Sequence, residues 1–403
     1  MWIVLLLTAA PFTATEIGLA EAIARAANSN RVEAQRQAIA RRAEADRAIG
    51  GLPTNPELRL SPGARLSPES DRGPELTLSL EQSWNLGGLG DARRAAAQAE
   101  RRTAQAGLEV LALSRALSAA RAWTELWGLE RMAAEADADL TLAERLADRT
   151  GRLARAGERT EAEAAEAHAF RGEAEALRVD IEGRRFEAML SLAEITGREL
   201  GPELRTTERP DFATTSSTIA ELEAALAQSP ELTEATEAAR SSEAHREELA
   251  AQQAPQLLTG LSWAREGSGS QIALLTLGLR IPIFEADERG RARAAYEAEL
   301  TRAQLAEVRR QSTHRLLLAA HEVEHAKEKE RVLERSLLTA ALTAEQSTAR
   351  AEQAGTSTLL ELLWAKRRSS SARRALIEQQ AYRIYAEAQL ALLLGARAHR
   401  TSP

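Results

Sequence analysis

His321-Glu322-Val323-Glu324-His325 matches H-E-x-x-H, the spacing at which two helical histidines bind zinc and the first glutamate serves as base in metallopeptidases. At i and i+4 the two imidazoles share a helix face, so a two-ligand site is geometrically sound. Hydrolysis also needs a third protein ligand, an open coordination position and a cleft. No third histidine follows in AKEKERVLERS, and no helix breaker separates His325 from the next plausible acid, Glu345. On a straight helix those two lie about 30 Å apart. The sequence therefore predicts that His321, Glu322 and His325 are a solvated helix face, with no catalytic residue, resident metal or cofactor. An incidental surface metal site and, more remotely, a zinc metallopeptidase are the alternatives. His168, His245, His314 and His399 read as isolated surface histidines.

Composition supports that reading. The 403 residues contain 3% aromatics and no cysteine, which excludes disulfides, thiolate metal sites and a thiol nucleophile. Ala, Leu, Glu and Arg dominate, favouring long helices over a compact aromatic core. A net charge of −7 with interspersed signs lacks the basic stripe that a nucleic-acid binder needs. Residues 1–14 are apolar over a length that suits a signal peptide and is too short to span a bilayer. No Lys or Arg precedes that run, and no clean A-x-A site follows it. No other run suits a transmembrane helix, so any membrane crossing must use strands.

The chain repeats itself. Leu19–Asn30 (LAEAIARAANSN) resembles Ile219–Pro230 (IAELEAALAQSP), and Leu76–Leu80 (LTLSL) resembles Leu275–Leu279 (LTLGL). Arg93–Glu100, Arg152–Thr160 and the EITG ending at Gly197 find counterparts at Ala292–Glu299, Arg350–Thr358 and the LLLG ending at Gly395. The offset stays between 198 and 200 through five collinear matches. A period this long indicates duplication of a domain rather than a solenoid unit.

The expected fold is mainly α with a small β part. Repeat 1 covers 15–200: a helix over 18–49, strands over 57–66 and 74–84, and a helical hairpin over 91–197. A linker over 201–218 leads to repeat 2 at 219–396, with a helix over 218–252, strands over 256–265 and 271–284, and a hairpin over 287–394; a tail occupies 397–403. GGLPTNP stops the first helix. Alternation sets Leu76, Leu78 and Leu80 against Thr77, Ser79 and Glu81, and Leu275, Leu277, Leu279, Ile281 and Ile283 against Thr276, Gly278 and Arg280. Gly151 and Gly157 interrupt the first hairpin and Gly355 the second. Helices of some 55 residues, about 80 Å long, demand coiled-coil-like neighbours.

Strands of about ten residues suit a tilted transmembrane β-strand. Four cannot close a barrel, for which about eight is the minimum, and an open edge is not viable in lipid. If they span a bilayer, several chains must supply one barrel. Two small soluble hairpins packed on helices, within a soluble or periplasmic coiled-coil scaffold or adaptor, are the alternative.

Helix, strand pair and long helical hairpin, duplicated near 200 residues, resembles the TolC-like outer-membrane efflux protein family from Leu19 to Gly395. The most specific stretch is Ala354–Ala396, whose glycine turn, Thr-Leu-x-Glu-x-Leu continuation and closing Leu-Leu-Gly are similar to the family's. The resemblance implies a homotrimer with a 12-stranded barrel in outer-membrane lipid and an internally duplicated helical tunnel in the periplasm. It implies a passive exit duct, partnered by a periplasmic adaptor and an inner-membrane pump, for drugs or heavy metals. It places Glu361 and Glu163, each six residues after a tip glycine, at the channel constriction, where threefold symmetry makes carboxylate rings. Trp364 stands where some members have a second acid, which weakens a cation-selective ring and allows a hydrophobic collar. Gly157 and Gly355 are expected to be tip turns that adaptor hairpins engage. Leu76, Leu78, Leu80, Leu275, Leu277, Leu279 and Ile281 are expected to face lipid, with Trp263 at its interface.

Overall fold

The computed structural model describes residues 15–49, 52–64, 73–198, 204–207, 218–284 and 287–395. The expected leader over 1–14 and tail over 397–403 lie outside the described residues. In chain order the elements are β1 (Thr15–Ile17), α1 (Leu19–Ala27), α2 (Asn30–Ile49), β2 (Glu57–Ala64), β3 (Pro74–Asn85), α3 (Leu89–Arg155), α4 (Glu161–Thr196) and β4 (Leu204–Thr206). Then come α5 (Ile219–Ala227), α6 (Pro230–Gln252), β5 (Gln256–Arg265), β6 (Gln271–Arg280), α7 (Glu288–Val332), a π-helical turn (Leu333–Leu338), α8 (Thr339–Gln353) and α9 (Leu359–Leu393). The chain divides into two compact units, one of 1–33, 111–229 and 312–403, the other of 34–110 and 230–311.

In the second unit the two hairpins join in one antiparallel sheet of order β2-β3-β5-β6. The register sorts its faces. Leu58 pairs with Leu80, Leu80 with Leu261 and Leu261 with Leu275; Leu60, Leu78 and Trp263 form the next row. Because side chains alternate, Leu76, Leu277 and Leu279 join this face, while Glu57, Arg59, Ser79, Glu81, Ser262, Thr276 and Arg280 point the other way. The apolar face is uncovered within the chain: Leu275 is 74% exposed and Leu277 69%. Pro62, which lacks a backbone donor, sits on the edge strand β2, where that lack is tolerated. At the loop ends Gly73 and Gly267 nearly touch; a Cβ on Gly73 would lie 2.3 Å from the Gly267 carbonyl oxygen. Arg42–Glu100 and Arg302–Glu243 pairs, at 2.5 and 3.0 Å, link the helices of this unit.

The first unit holds the larger core. Trp123, Leu126 and Trp127 of α3 pack against Ile17, Leu19 and Ile23, against Leu192 of α4 and Leu204 of β4, and against Ile384 of α9. The Trp123 indole N–H donates to the Ile17 carbonyl at 2.8 Å, and β1 pairs in parallel with β4. Burying each Leu or Ile side chain here contributes about 1.5–3 kcal/mol. Glu130 of α3 accepts from the Thr206 backbone N–H at 3.2 Å, tying down the end of β4.

Several expected boundaries change. The helix expected over 18–49 is two, broken at Asn28-Ser29, and that over 218–252 is two, broken at Gln228-Ser229. Asn28 turns its side-chain amide onto the Ala24 carbonyl, competing with the helix ladder, and Pro230 opens α6 where its missing N–H costs nothing. The stretch assigned wholly to a linker contains β4, and residues at the edge of the leader form β1. Gly151 lies inside α3 rather than interrupting it; Gly157 alone follows the helix end. The strand expected to reach 284 ends at Arg280, before Pro282. The long helix expected from 287 carries the π turn, in which the Thr339 hydroxyl reaches back to the Glu334 carbonyl at 3.0 Å. The described part of the strand expected over 57–66 ends at Ala64, and 65–66 lie outside the described residues.

Candidate functional site: the paired hairpin tips

Both hairpins turn by the same local chemistry. After α3, Gly157 adopts φ 78°, its N–H bonds the Ala154 carbonyl at 3.0 Å and the Glu158 N–H bonds Leu153 at 2.9 Å. After α8, Gly355 adopts φ 74°, with Gly355 N–H on Glu352 at 3.0 Å and Thr356 N–H on Ala351 at 2.8 Å. This is the Schellman closure, which takes glycine because L side chains are strained at positive φ. Open space surrounds both glycines, so conformation alone selects the residue.

Each return helix then starts with a capping box. The Thr160 hydroxyl accepts from the Glu163 N–H at 3.2 Å, while the Thr160 N–H donates to the Glu163 carboxylate at 3.0 Å. Thr358 and Glu361 repeat the pattern at 3.3 and 2.8 Å. Glu163 and Glu361 are therefore the third helical residues, folded back over their own N-termini. The helix N-terminus favours their negative charge.

Their surroundings differ. Arg159 pairs with Glu163 at 2.8 Å and crosses to Glu352 at 2.7 Å, with Arg149 3.8 Å from the same acid. Among the described residues no cation pairs with Glu361; the Ser357 hydroxyl donates to it at 2.5 Å. That hydroxyl and the Thr358 N–H hold the exposed Glu361 carboxyl below the usual range. The Thr160 N–H, with Arg159 assisting, lowers Glu163 as well. Arg159 is thus shared between Glu163 and Glu352, whereas Glu361 is held by hydroxyl and backbone donors alone among the described residues. Trp364 is 63% exposed, one turn from exposed Leu360, whereas Leu359 and Leu363 are buried against Ala143, Ala147 and Phe170 of the other hairpin. Arg367 reinforces this contact, lying over the Phe170 ring and pairing with Glu173 at 2.9 Å.

Arg159 and Glu352 are absent from the sequence-based candidates, because nothing local marks a pair 193 residues apart. The caps did have a local signal, T-x-x-E at 160–163 and 358–361.

His321 and His325 lie on α7, both exposed, with ring centroids 6.1 Å apart. Glu345 belongs to α8, where Lys366 pairs with it at 2.9 Å and the Ser369 hydroxyl donates to it. The π turn separates it from His325 without folding it back. No group of three or more potential metal ligands occurs among the described residues.

The fold is that of the TolC-like outer-membrane channels. Among solved structures, a membrane protein from Pseudomonas aeruginosa superposes with TM-score 0.79 at 18% identity, covering 93% of this chain and 90% of that one. The outer membrane protein VceC from Vibrio cholerae gives 0.74 at 21% identity, covering 94% and 96%. CusC, described with transmembrane channel formation, gives 0.79 at 16% identity, covering 96% and 95%. No protein-family model and no curated protein matches the sequence. No helix among the described residues is long and apolar enough to cross a membrane.

Proposed function

We propose that this chain is one protomer of an outer-membrane exit duct. Three copies of its sheet close a 12-stranded barrel, and the helical hairpins continue it as a periplasmic tunnel. One observation carries the reading: among the described residues, a four-stranded sheet with two open edges, an uncovered apolar face and an opposite face that is polar apart from Leu258, Ile272 and Leu274. Lipid tolerates the apolar face but neither open edge, so the edges must meet other copies. The likeness in fold to solved outer-membrane channels supports it.

In this reading the duplicated halves each supply one hairpin of the barrel and one of the tunnel. The parallel element order and the matched glycine closures and capping boxes of both tips support the duplication. The duct is passive; an inner-membrane pump supplies energy through a periplasmic adaptor that engages the turns at Gly157 and Gly355. Glu361, repeated by symmetry, sets the charge of the constriction beside Trp364, while Glu163 is offset by Arg159. Substrates are expelled solutes such as drugs or heavy-metal ions.

The test is a detergent extract of outer membranes. A heat-resistant trimer band and single-channel conductance after reconstitution are expected. Recovery of the whole protein in the soluble fraction would leave a coiled-coil scaffold as the better reading.

A further inference from the structure

His321 and His325 occupy one exposed face of α7, and among the described residues neither imidazole has a hydrogen-bond or ion-pair partner. The carboxylates around them are engaged: Glu324 with Lys327 at 3.0 Å, and Glu328 with Arg331 at 2.5 Å. Glu322 is half-buried, unlike the two exposed histidines. Buried Val323 and Ala326 anchor this stretch, so the histidines stand on a fixed backbone. With centroids 6.1 Å apart, side-chain rotation alone can converge two ring nitrogens to the ~2.1 Å metal distance that imidazole ligation requires.

We propose that His321 and His325 chelate one borderline divalent cation per chain, Ni2+, Cu2+ or Zn2+, with water completing the shell. Two imidazole nitrogens favour these ions over Mg2+ and Ca2+, which demand oxygen ligands. The site binds without hydrolysing, since no third protein ligand joins the histidines among the described residues. His314 lies seven residues earlier, about 10 Å along the helix, too far to share the ion. It serves as a one-ligand control. The inference does not depend on the proposed channel function.

The untagged, full-length assembled protein is titrated calorimetrically with nickel chloride. One equivalent per chain is expected, and His321→Gln or His325→Gln should each weaken it about a hundredfold, the loss on turning a chelate into a single contact. His314→Gln should leave it unchanged. A Cu2+ electron paramagnetic resonance spectrum of the wild type should show two imidazole nitrogens on one ion. A one-nitrogen spectrum, or nickel affinity equal in wild type and in the His321→Gln, His325→Gln double variant, would overturn the proposal.

Discussion

Arg159, in the turn of the first hairpin, meets Glu352, at the end of the outgoing helix of the second, at 2.7 Å. The side chain of Glu352 is only 4% exposed, so it depends on this partner, with Arg149 a weaker one at 3.8 Å. Removing one member of a buried pair leaves an uncompensated charge. Arg159→Ala should therefore cost about 2–3 kcal/mol, below the full penalty because Arg149 remains. Limited proteolysis should show faster cleavage at 156–160 and 354–358. Unchanged cleavage would mean the pair does not hold the tips together.

The caps make a separate prediction. Thr358→Ala removes a helix N-cap and should lower stability by about 1 kcal/mol. Glu361 has a folded-state pKa below its unfolded one, so its ionised form stabilises the fold above the ordinary glutamate range of ~4.3. That contribution disappears as pH falls through the lowered value. Glu361→Gln should thus be destabilising at pH 7, with the difference closing in strong acid. Thermal unfolding at a series of pH values measures it.

If Glu361 lines the constriction, Glu361→Ala should reduce cation selectivity in single-channel recordings of the reconstituted trimer. Glu163→Ala should do less, because Arg159 already offsets that charge. Identical reversal potentials in wild type and Glu361→Ala would remove Glu361 from the constriction.

The two faces of the sheet predict opposite tolerances. Leu277→Lys places a charge on the apolar face and should cost about 2–4 kcal/mol near the middle of a bilayer, abolishing heat-resistant trimers. Thr276→Lys, one residue away on the polar face, should be tolerated. Equal trimer yields from the two variants would contradict a lipid-facing belt.

Trp123→Ala should cost about 3–5 kcal/mol through the cavity it leaves. Trp123→Phe keeps most of the packing and removes one of the two donors to the Ile17 carbonyl, which retains the Thr207 N–H at 3.2 Å, so its smaller loss isolates the indole hydrogen bond.

Sequence periodicity was a good guide where one physical rule dominates. Leu76, Leu78 and Leu80 alternate with polar residues because a half-covered strand must, and they do share one face of the sheet. Tip glycines were readable because only glycine is at ease at positive φ. Short-range competition was harder: the Asn28 side chain ends one helix and Pro230 opens another, breaks that a long Ala-rich pattern obscures. The pairing of β1 with β4 had no local signature, since three-residue strands are stabilised by partners nearly 190 residues away. Arg159 illustrates the same limit at the site, where its role is set by a residue on another helix.

The π turn at Leu333–Leu338 has a consequence for phase. An extra residue within a helix rotates everything after it by about 100° relative to an uninterrupted helix. The face on which Glu352 sits is thus fixed fourteen residues upstream. Deleting one residue between 333 and 338 would straighten the hydrogen-bond ladder yet swing that acid off the side where Arg159 waits. A local repair of helical regularity would in this way unlatch a contact on a different hairpin.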